Sequence, residues 1–250
     1  MHSENYGSCQ IHSPKISLNK TCYQASDDYE RISPEKQKQR LKVLGFILDN
    51  VDSDIKYTGL PGKYWRLETE LAKRCTRARF SGFEKNQTIY HNSKFIMPGR
   101  HNVISKSKNI DPSKQIDIHV NNRSVYVLGG IRDLTDTKTH KLFSEISGTF
   151  KYGFTKINAI WYDFTSSFNE ETYVSMYNIK NLLDSEVKSV ICLTFLYGRD
   201  LYFNGSGEEA RIDIVKRALP NFIPLDYWKY KGFNNSTMMT ICGIVNPEPN

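Results

Sequence analysis

Apolar and polar positions along the chain follow two alternating patterns. Short and nearly continuous apolar runs, of which the run at 187–196 is the most apolar, are typical of strands that are buried on both faces. Longer stretches between them have apolar residues on one side only. In the stretch at 33–50, Ser33 and Pro34 also provide a helix start. We therefore expect strands and amphipathic helices to alternate along the chain.

This alternation predicts an α/β fold, because strands that alternate with helices form a parallel sheet covered on both faces. The last two predicted strands follow one another directly, so one of them runs antiparallel. We predict a Rossmann-like, mostly parallel sheet with a C-terminal antiparallel strand pair and helices on both faces. The predicted strands are 55–59, 79–84, 115–120, 124–128, 157–163, 187–196, 222–230 and 237–245, and the predicted helices are 33–50, 65–74, 87–97, 138–147, 169–183 and 208–219.

The first residues of the chain differ from the rest. Residues 1–32 show neither pattern, and we expect them to form an N-terminal arm that is flexible or contacts another molecule. Residues 33–250 contain no long linker and no internal repeat. They are predicted to form one domain.

Composition favours an anionic partner. The 250 residues include 34 Lys and Arg against 27 Asp and Glu, a net charge of +7 at pH 7, which favours nucleic acid before an acidic membrane. The chain has no secretion signal and no apolar run of about 18 residues, so we expect a cytosolic protein without membrane contact. None of the five cysteines has the spacing of a zinc or redox motif, and no metal site is predicted.

Glycines and acids follow the predicted parallel strands. In an open α/β sheet, ligands bind beyond the carboxyl ends of the strands. The first strand is followed by Gly59-Leu60-Pro61-Gly62, and the second ends in Glu84. Gly129-Gly130 follows another apolar strand, and Asp163 ends the next. Glycine lets a backbone approach a ligand closely, and an acid at the second strand can accept hydrogen bonds from a ribose.

The order of these features resembles the class I S-adenosylmethionine-dependent methyltransferases. The resemblance covers roughly 42–245. The segments that carry it are 59–68, from the glycine loop into a helix, 82–86 around Glu84, 159–164 around Asp163, and the closing strands at 227–245. The family usually has three glycines in this loop, where the present chain has two.

The resemblance implies a role for each of these positions. Gly59, Pro61 and Gly62 would face the methionine part of S-adenosylmethionine, and Glu84 would bind its ribose hydroxyls. The adenine side would be lined by Gly129 and Gly130. The sulfonium and the incoming nucleophile would be bordered by Asp163, the expected catalytic residue, and Phe164. Methyl transfer then requires mainly the alignment of donor and acceptor, with removal of a proton.

The acceptor is not indicated by the familiar motifs. Asp163 is followed by Phe164-Thr165-Ser166, not by the Pro-Pro-aromatic sequence of amino methyltransferases, and no Pro-Cys dipeptide supplies a cytosine-C5 nucleophile. Ribose 2′-O enzymes use a Lys-Asp-Lys-Glu set. Asp163 and Lys42 would supply its first two members, but we find no second lysine after the strand at 187–196 and no glutamate before the last strand.

Two other interpretations stay open. A catalytically silent methyltransferase-like fold would bind nucleic acid or protein, and a viral assembly subunit would use the arm to form an oligomer. Trp228 and Tyr230 alternate with lysines, a pattern that suits nucleic acid but is equally typical of a strand with one buried face. The basic residues predicted to contact nucleic acid are Lys73, Arg74, Arg77, Arg79, Arg100, Lys229 and Lys231.

Overall fold

In a computed structural model of the chain, one mixed sheet forms the centre of the fold. The structure describes residues 34–99, 106–111, 116–129, 156–164, 167–198, 207–232 and 235–247. Within these residues, nine strands are arranged in the order β3-β4-β5-β2-β1-β6-β7-β9-β8. The strands are β1 Lys56–Gly59, β2 Arg79–Glu84, β3 Lys106–Asp111, β4 Ile116–Val120, β5 Ser124–Leu128, β6 Ala159–Asp163, β7 Ser189–Leu196, β8 Phe222–Lys231 and β9 Thr237–Val245.

Five helices are described with this sheet. They are α1 Pro34–Asn50, α2 Arg66–Arg74, α3 Gln87–Ser93, α4 Glu170–Ile179 and α5 Glu208–Ala218. Two of them have side-chain caps at their N-termini: Asn86 accepts from Ile89 N at α3, and Asn169 and Thr172 form a capping box at α4. No described helix is long and apolar enough to cross a membrane.

The predicted fold class is confirmed. The five strands β5, β2, β1, β6 and β7 are parallel, and β9 pairs antiparallel with both β7 and β8. The predicted hairpin exists as β4 and β5. One strand, β3, was not predicted, and two helices end earlier than predicted: α3 at Ser93 rather than near residue 97, and α4 at Ile179 rather than near residue 183. The predicted arm at 1–32 and the predicted helix at 138–147 lie outside the described residues.

The sheet separates two apolar cores, one on each of its faces. Helices α1, α2 and α3 pack on one face, over buried strand residues such as Tyr57, Phe80 and Trp161. Helices α4 and α5 pack on the other face, over residues such as Ile160 and Leu193. Because the strands are buried on both faces, their side chains alternate between two apolar layers, and this explains the continuous apolar runs of the sequence.

Candidate functional site

Two acidic side chains occupy the same row at the carboxyl edge of the sheet. Gly59 of β1 pairs with Gly82 of β2 and with Trp161 of β6, and Glu84 and Asp163 each follow two residues later. They therefore point to the same face, which is the face of α1, α2 and α3, about 10 Å apart across two strand spacings. The chain leaves β1 towards β2 and later returns on its other side to β6. This is the switch point at which open α/β sheets bind ligands.

The turn from β1 into α2 lies between these two carboxylates. Gly62 has a φ of 59°, a left-handed conformation that favours glycine. Trp65, just before α2, is also left-handed, with φ 48° and ψ 42°, and is fully buried. A Cβ at Gly82 would lie 2.7 Å from Pro61 Cγ and from Trp65 Cη2. Gly82 therefore allows the turn to pack directly on β2.

Glu84 is held in a partly buried position by the backbone that follows it. Its Oε1 accepts a hydrogen bond of 2.7 Å from the N–H of Asn86. Burial raises the pKa of Glu84, and the backbone N–H groups of Asn86 and Lys85 oppose this rise. A carboxylate has about four acceptor positions. The Glu84 carboxylate is therefore oriented by its backbone bond and keeps capacity to accept bonds from a ligand.

The end of β5 lies directly beside Glu84. The N–H of Gly129 donates to the carbonyl oxygen of Glu84 at 2.9 Å. Behind this edge, the ring of Tyr126 lies 4.8 Å from Trp65 and 4.9 Å from Tyr90, measured between ring centroids. These three aromatic rings form a packed apolar cluster next to the carboxyl end of β2. The predicted adenine-side residue Gly130 lies outside the described residues.

Asp163 is paired with a lysine from α1. Lys36 Nζ lies 2.8 Å from Asp163 Oδ2, and the Asp163 side chain is only 13% exposed. Its other oxygen, Oδ1, is buried and has no hydrogen-bond partner among the described residues. Tyr230 lies close by, and burial followed by the charge of Asp163 raises its pKa. Asp163 therefore has one oxygen fixed by an ion pair and one buried oxygen with unused capacity to accept a hydrogen bond.

Lys42, considered with Asp163 for a ribose 2′-O set and not supported there, lies away from Asp163 in the structure. Lys42 forms an ion pair of 3.4 Å with Asp226, and its Nζ lies 3.7 Å from the centre of the Trp228 ring. Lys36 and Lys42 are six positions apart on α1, which places them on different sides of a helix with 3.6 residues per turn. Only Lys36 is directed to the carboxyl end of β6.

Phe164 turns to the opposite face from Asp163. Its ring stacks on Phe195 at a centroid distance of 5.3 Å and belongs to the core under α4 and α5. Side chains of successive strand residues point to opposite faces, which accounts for the separation. Phe164 therefore packs in this core, and its expected contact with the sulfonium region stays a prediction.

Solved structures show what this fold is similar to, whereas no protein-family model and no curated protein matches the sequence. The N-methyltransferase NodS from Bradyrhizobium japonicum WM9 aligns at a TM-score of 0.52 and 10% sequence identity, over 87% of this chain and 99% of that one. NodS in complex with S-adenosyl-L-homocysteine aligns at 0.53 and 12% identity, over 90% and 94%. The chain has a class I methyltransferase-like fold. At this identity the likeness describes the fold alone.

The predicted basic residues lie at two opposite edges of this methyltransferase-like sheet. Lys229 and Lys231 are near the end of β8, on the carboxyl edge, where Lys229 Nζ pairs with Glu208 Oε1 at 2.6 Å and Lys231 Nζ bonds Thr237 Oγ1 at 3.0 Å. Arg100 lies outside the described residues. The other four precede or begin β2, on the amino edge, away from Glu84 and Asp163: Lys73, Arg74, Arg77 and Arg79.

Trp228 and Tyr230 have structural contacts. The Trp228 indole N–H donates to Gln39 Oε1 of α1, and Tyr230 is buried. Both point to the α1 face, whereas Lys229 and Lys231 point away from it. The alternation of aromatic and basic residues is thus explained by the two faces of β8, and Trp228 fixes the helix that carries Lys36.

A buried acid near the turn was missed in the sequence. Glu68, in the first turn of α2, is 2% exposed, and burial raises its pKa to about 7 against the effects of its own backbone N–H, the Tyr57 hydroxyl and the charge of Arg40. Tyr57 is fully buried, and burial followed by the charge of Glu68 raises its pKa. In the sequence, Glu68 has the appearance of an ordinary acid in the first turn of a helix.

Proposed function

We propose that the chain is an S-adenosylmethionine-dependent methyltransferase that works in the crevice between Glu84 and Asp163. One observation carries this proposal: the two carboxylates share a row and a face at the switch point, with the Gly59–Gly62 turn between them. The class I methyltransferase-like fold supports it. Two negatively charged carboxylates, one on each side of the turn, would also attract a methyl donor that carries a positive charge.

The residues at this edge fit the cofactor. Glu84 would accept hydrogen bonds from the ribose hydroxyls, because its carboxylate is oriented by Asn86 N–H and keeps acceptor capacity. The left-handed Gly62 would keep the turn clear of side chains where the methionine part lies, and Gly129 would border the adenine side. When bound, S-adenosylmethionine supplies a methyl group on a sulfonium, open to in-line displacement.

The chain itself would orient the acceptor and remove its proton. Lys36 holds Asp163 Oδ2 at 2.8 Å, and the buried Oδ1 has unused acceptor capacity that would bind an incoming N–H or O–H group reaching it. Asp163 Oδ1 would accept the proton that the acceptor group loses on methylation. Helix α1, fixed by Trp228, covers this end of the crevice and limits the access of water.

One observation favours the silent-fold alternative. A Cβ at Gly59 would overlap the phenol of Tyr57, and Gly82 is covered by Pro61 and Trp65. Two of the glycines near the turn therefore make room for the protein's own side chains rather than for a ligand. In this alternative the fold binds a partner at its surface and has no affinity for the cofactor.

Calorimetric titration with S-adenosylhomocysteine separates the two functions. Wild-type protein is expected to bind, and Glu84→Ala is expected to weaken binding about 10- to 100-fold, since hydrogen bonds to a charged group contribute about 1.5–3 kcal/mol. Glu186→Ala is the matched control, because Glu186 is 79% exposed and pairs with Lys156. Binding that is equal in both variants would refute the ribose assignment. Failure of the wild-type protein to bind would refute the proposed methyltransferase function.

For the acceptor, we propose nucleic acid bound through the cations of the carboxyl edge. Of the predicted set, Lys229 and Lys231 lie there among the described residues. Retention of single-stranded RNA should fall with salt and should weaken in Lys231→Ala. Arg77→Ala, on the exposed amino edge, is the control. Equal effects of both substitutions would indicate non-specific attraction to the basic protein and would contradict this route.

A further inference from the structure

Two cysteine side chains meet in the apolar core beneath α1. Cys192 of β7 and Cys242 of β9 lie directly opposite one another in the antiparallel pairing of these strands. Their sulfur atoms are 2.9 Å apart, and both residues are completely buried as free thiols. They are 50 positions apart in the sequence, so no local spacing indicates the contact. The proposed methyl transfer uses neither thiol.

The backbone around these two residues already has the geometry of a disulfide. Opposite residues of an antiparallel pair have Cα atoms about 4.5 or 5.5 Å apart, and disulfides span Cα distances of about 4.4–6.8 Å. To reach the S–S bond length of about 2.05 Å, the sulfurs at 2.9 Å need to approach by roughly 0.9 Å. Small side-chain rotations supply this approach, so neither strand has to move.

The cysteine pair lies one strand away from the edge of the described sheet. Cys242 is opposite Asp226 of β8, which is the last strand in the sheet order. Asp226 pairs with Lys42 of α1, and both of these side chains are almost half exposed. Exposed ion pairs contribute little to stability. Local opening at this ion pair therefore gives a small oxidant a route to the sulfurs.

Burial slows the reaction of the pair while the sheet is closed. It raises the pKa of Cys242, with smaller effects from Cys192 and from the charges of Asp226 and Lys42. The thiolate is the reactive form of cysteine, and burial makes this form scarce. The pair should therefore stay reduced in reducing surroundings and react only as the edge opens under sustained exposure to an oxidant.

We propose that Cys192 and Cys242 are a redox-sensitive pair that hydrogen peroxide converts into a disulfide, which locks β9 onto β7 in the folded protein. One thiolate first attacks a peroxide oxygen, the O–O bond breaks, and the leaving hydroxide takes up the thiol proton to form water. The second thiol then attacks the sulfenic sulfur, so that the S–S bond forms, the S–O bond breaks and a second water leaves. Two electrons pass from the thiols to the peroxide.

The disulfide would stabilise the part of the sheet on which α1 rests. Strand β9 carries β8, and Trp228 of β8 binds Gln39 of α1. The same helix holds Asp163 through Lys36. The bond also closes a loop of about 50 residues, which removes conformational freedom from the unfolded chain. It needs no ligand and therefore does not depend on the proposed function.

Peptide mapping and thermal unfolding of the full chain test this pair. Native protein is treated with hydrogen peroxide, its remaining thiols are blocked, and it is digested without reduction. Wild type should yield linked peptides that contain Cys192 and Cys242, and should melt about 5–15 °C higher than its reduced form. Dithiothreitol should reverse both changes. Cys242→Ala and Cys192→Ala should show neither change, whereas Cys75→Ala, which alters another buried cysteine of the same core, should behave as wild type.

Three results would overturn the proposal. The first is oxidised wild type without the link between Cys192 and Cys242, in which both sulfurs are recovered as thiols or as sulfinic or sulfonic acids. The second is an equal rise in melting temperature in wild type and Cys242→Ala. The third comes from hydrogen exchange: amides of β7 and β9 should gain protection when wild type is oxidised, and a loss of protection there would mean that the bond distorts the sheet.

Discussion

Replacing Glu68 by glutamine should change how the stability of the whole protein depends on pH. Burial raises the pKa of Glu68 from 4.5 to about 7, so the folded protein binds this proton more tightly than the unfolded chain does. Below pH 4.5 the group is protonated in both states, and the stabilising effect is fully present. As pH rises towards 7, the unfolded chain releases its proton first, and the free energy of unfolding falls.

The size of this effect follows from the difference between the two pKa values. At 1.36 kcal/mol per pKa unit it amounts to about 3 kcal/mol, and it is completely lost above pH 7. Glutamine cannot ionise. The free energy of unfolding of wild type relative to Glu68→Gln should therefore decrease by about 2–3 kcal/mol between about pH 5 and about pH 8.

Urea unfolding followed by circular dichroism measures this difference directly. Comparing the two proteins at each pH cancels the titration of every other group, and Glu70→Gln serves as the control because its surface carboxylate pairs with Lys73. A constant difference between wild type and Glu68→Gln over the whole pH range would refute the argument. It would mean that Glu68 is solvated or ionised at all of these pH values.

Two further substitutions test the packing of the crevice. Gly82→Ala places a Cβ 2.7 Å from Pro61 and Trp65 of the turn and should destabilise the protein by about 1–3 kcal/mol. Gly45→Ala, in open space on α1, should stabilise the protein by about 0.5–1 kcal/mol. Equal effects of the two substitutions on urea unfolding would contradict this packing. Trp228→Phe removes the indole N–H that binds Gln39 of α1 and should lower the free energy of unfolding by about 1 kcal/mol. Tyr227→Phe, which alters an exposed side chain, should have no effect in the same assay. An equal loss of stability in both variants would contradict the packing of α1 on β8.

The sheet and its carboxyl edge could be predicted from the sequence because local signals agreed there. The predicted bounds 79–84 and 237–245 match β2 and β9. Glu84 and Asp163 could be placed together because the carboxyl ends of parallel strands meet at one edge. That inference needs only the strand order.

Contacts between distant elements could not be predicted in the same way. Lys36 and Lys42 are both polar positions of α1, and only the angle at which the helix packs brings Lys36 to Asp163 while Lys42 meets Trp228. The depth of Glu68 depends on the close approach of α1, α2 and β1. Phe164 follows its strand directly, and the pattern does not reveal that it packs on Phe195.

A crystal structure of the protein with S-adenosylhomocysteine would test the central claim most directly. The ribose hydroxyls should lie within hydrogen-bond distance of the Glu84 carboxylate, and the sulfur should lie between the turn and Asp163. A ligand bound at any other edge of the sheet would contradict this claim. So would crystals soaked at saturating ligand that show no bound ligand and in which Tyr57, Pro61 and Trp65 fill the space beside the turn.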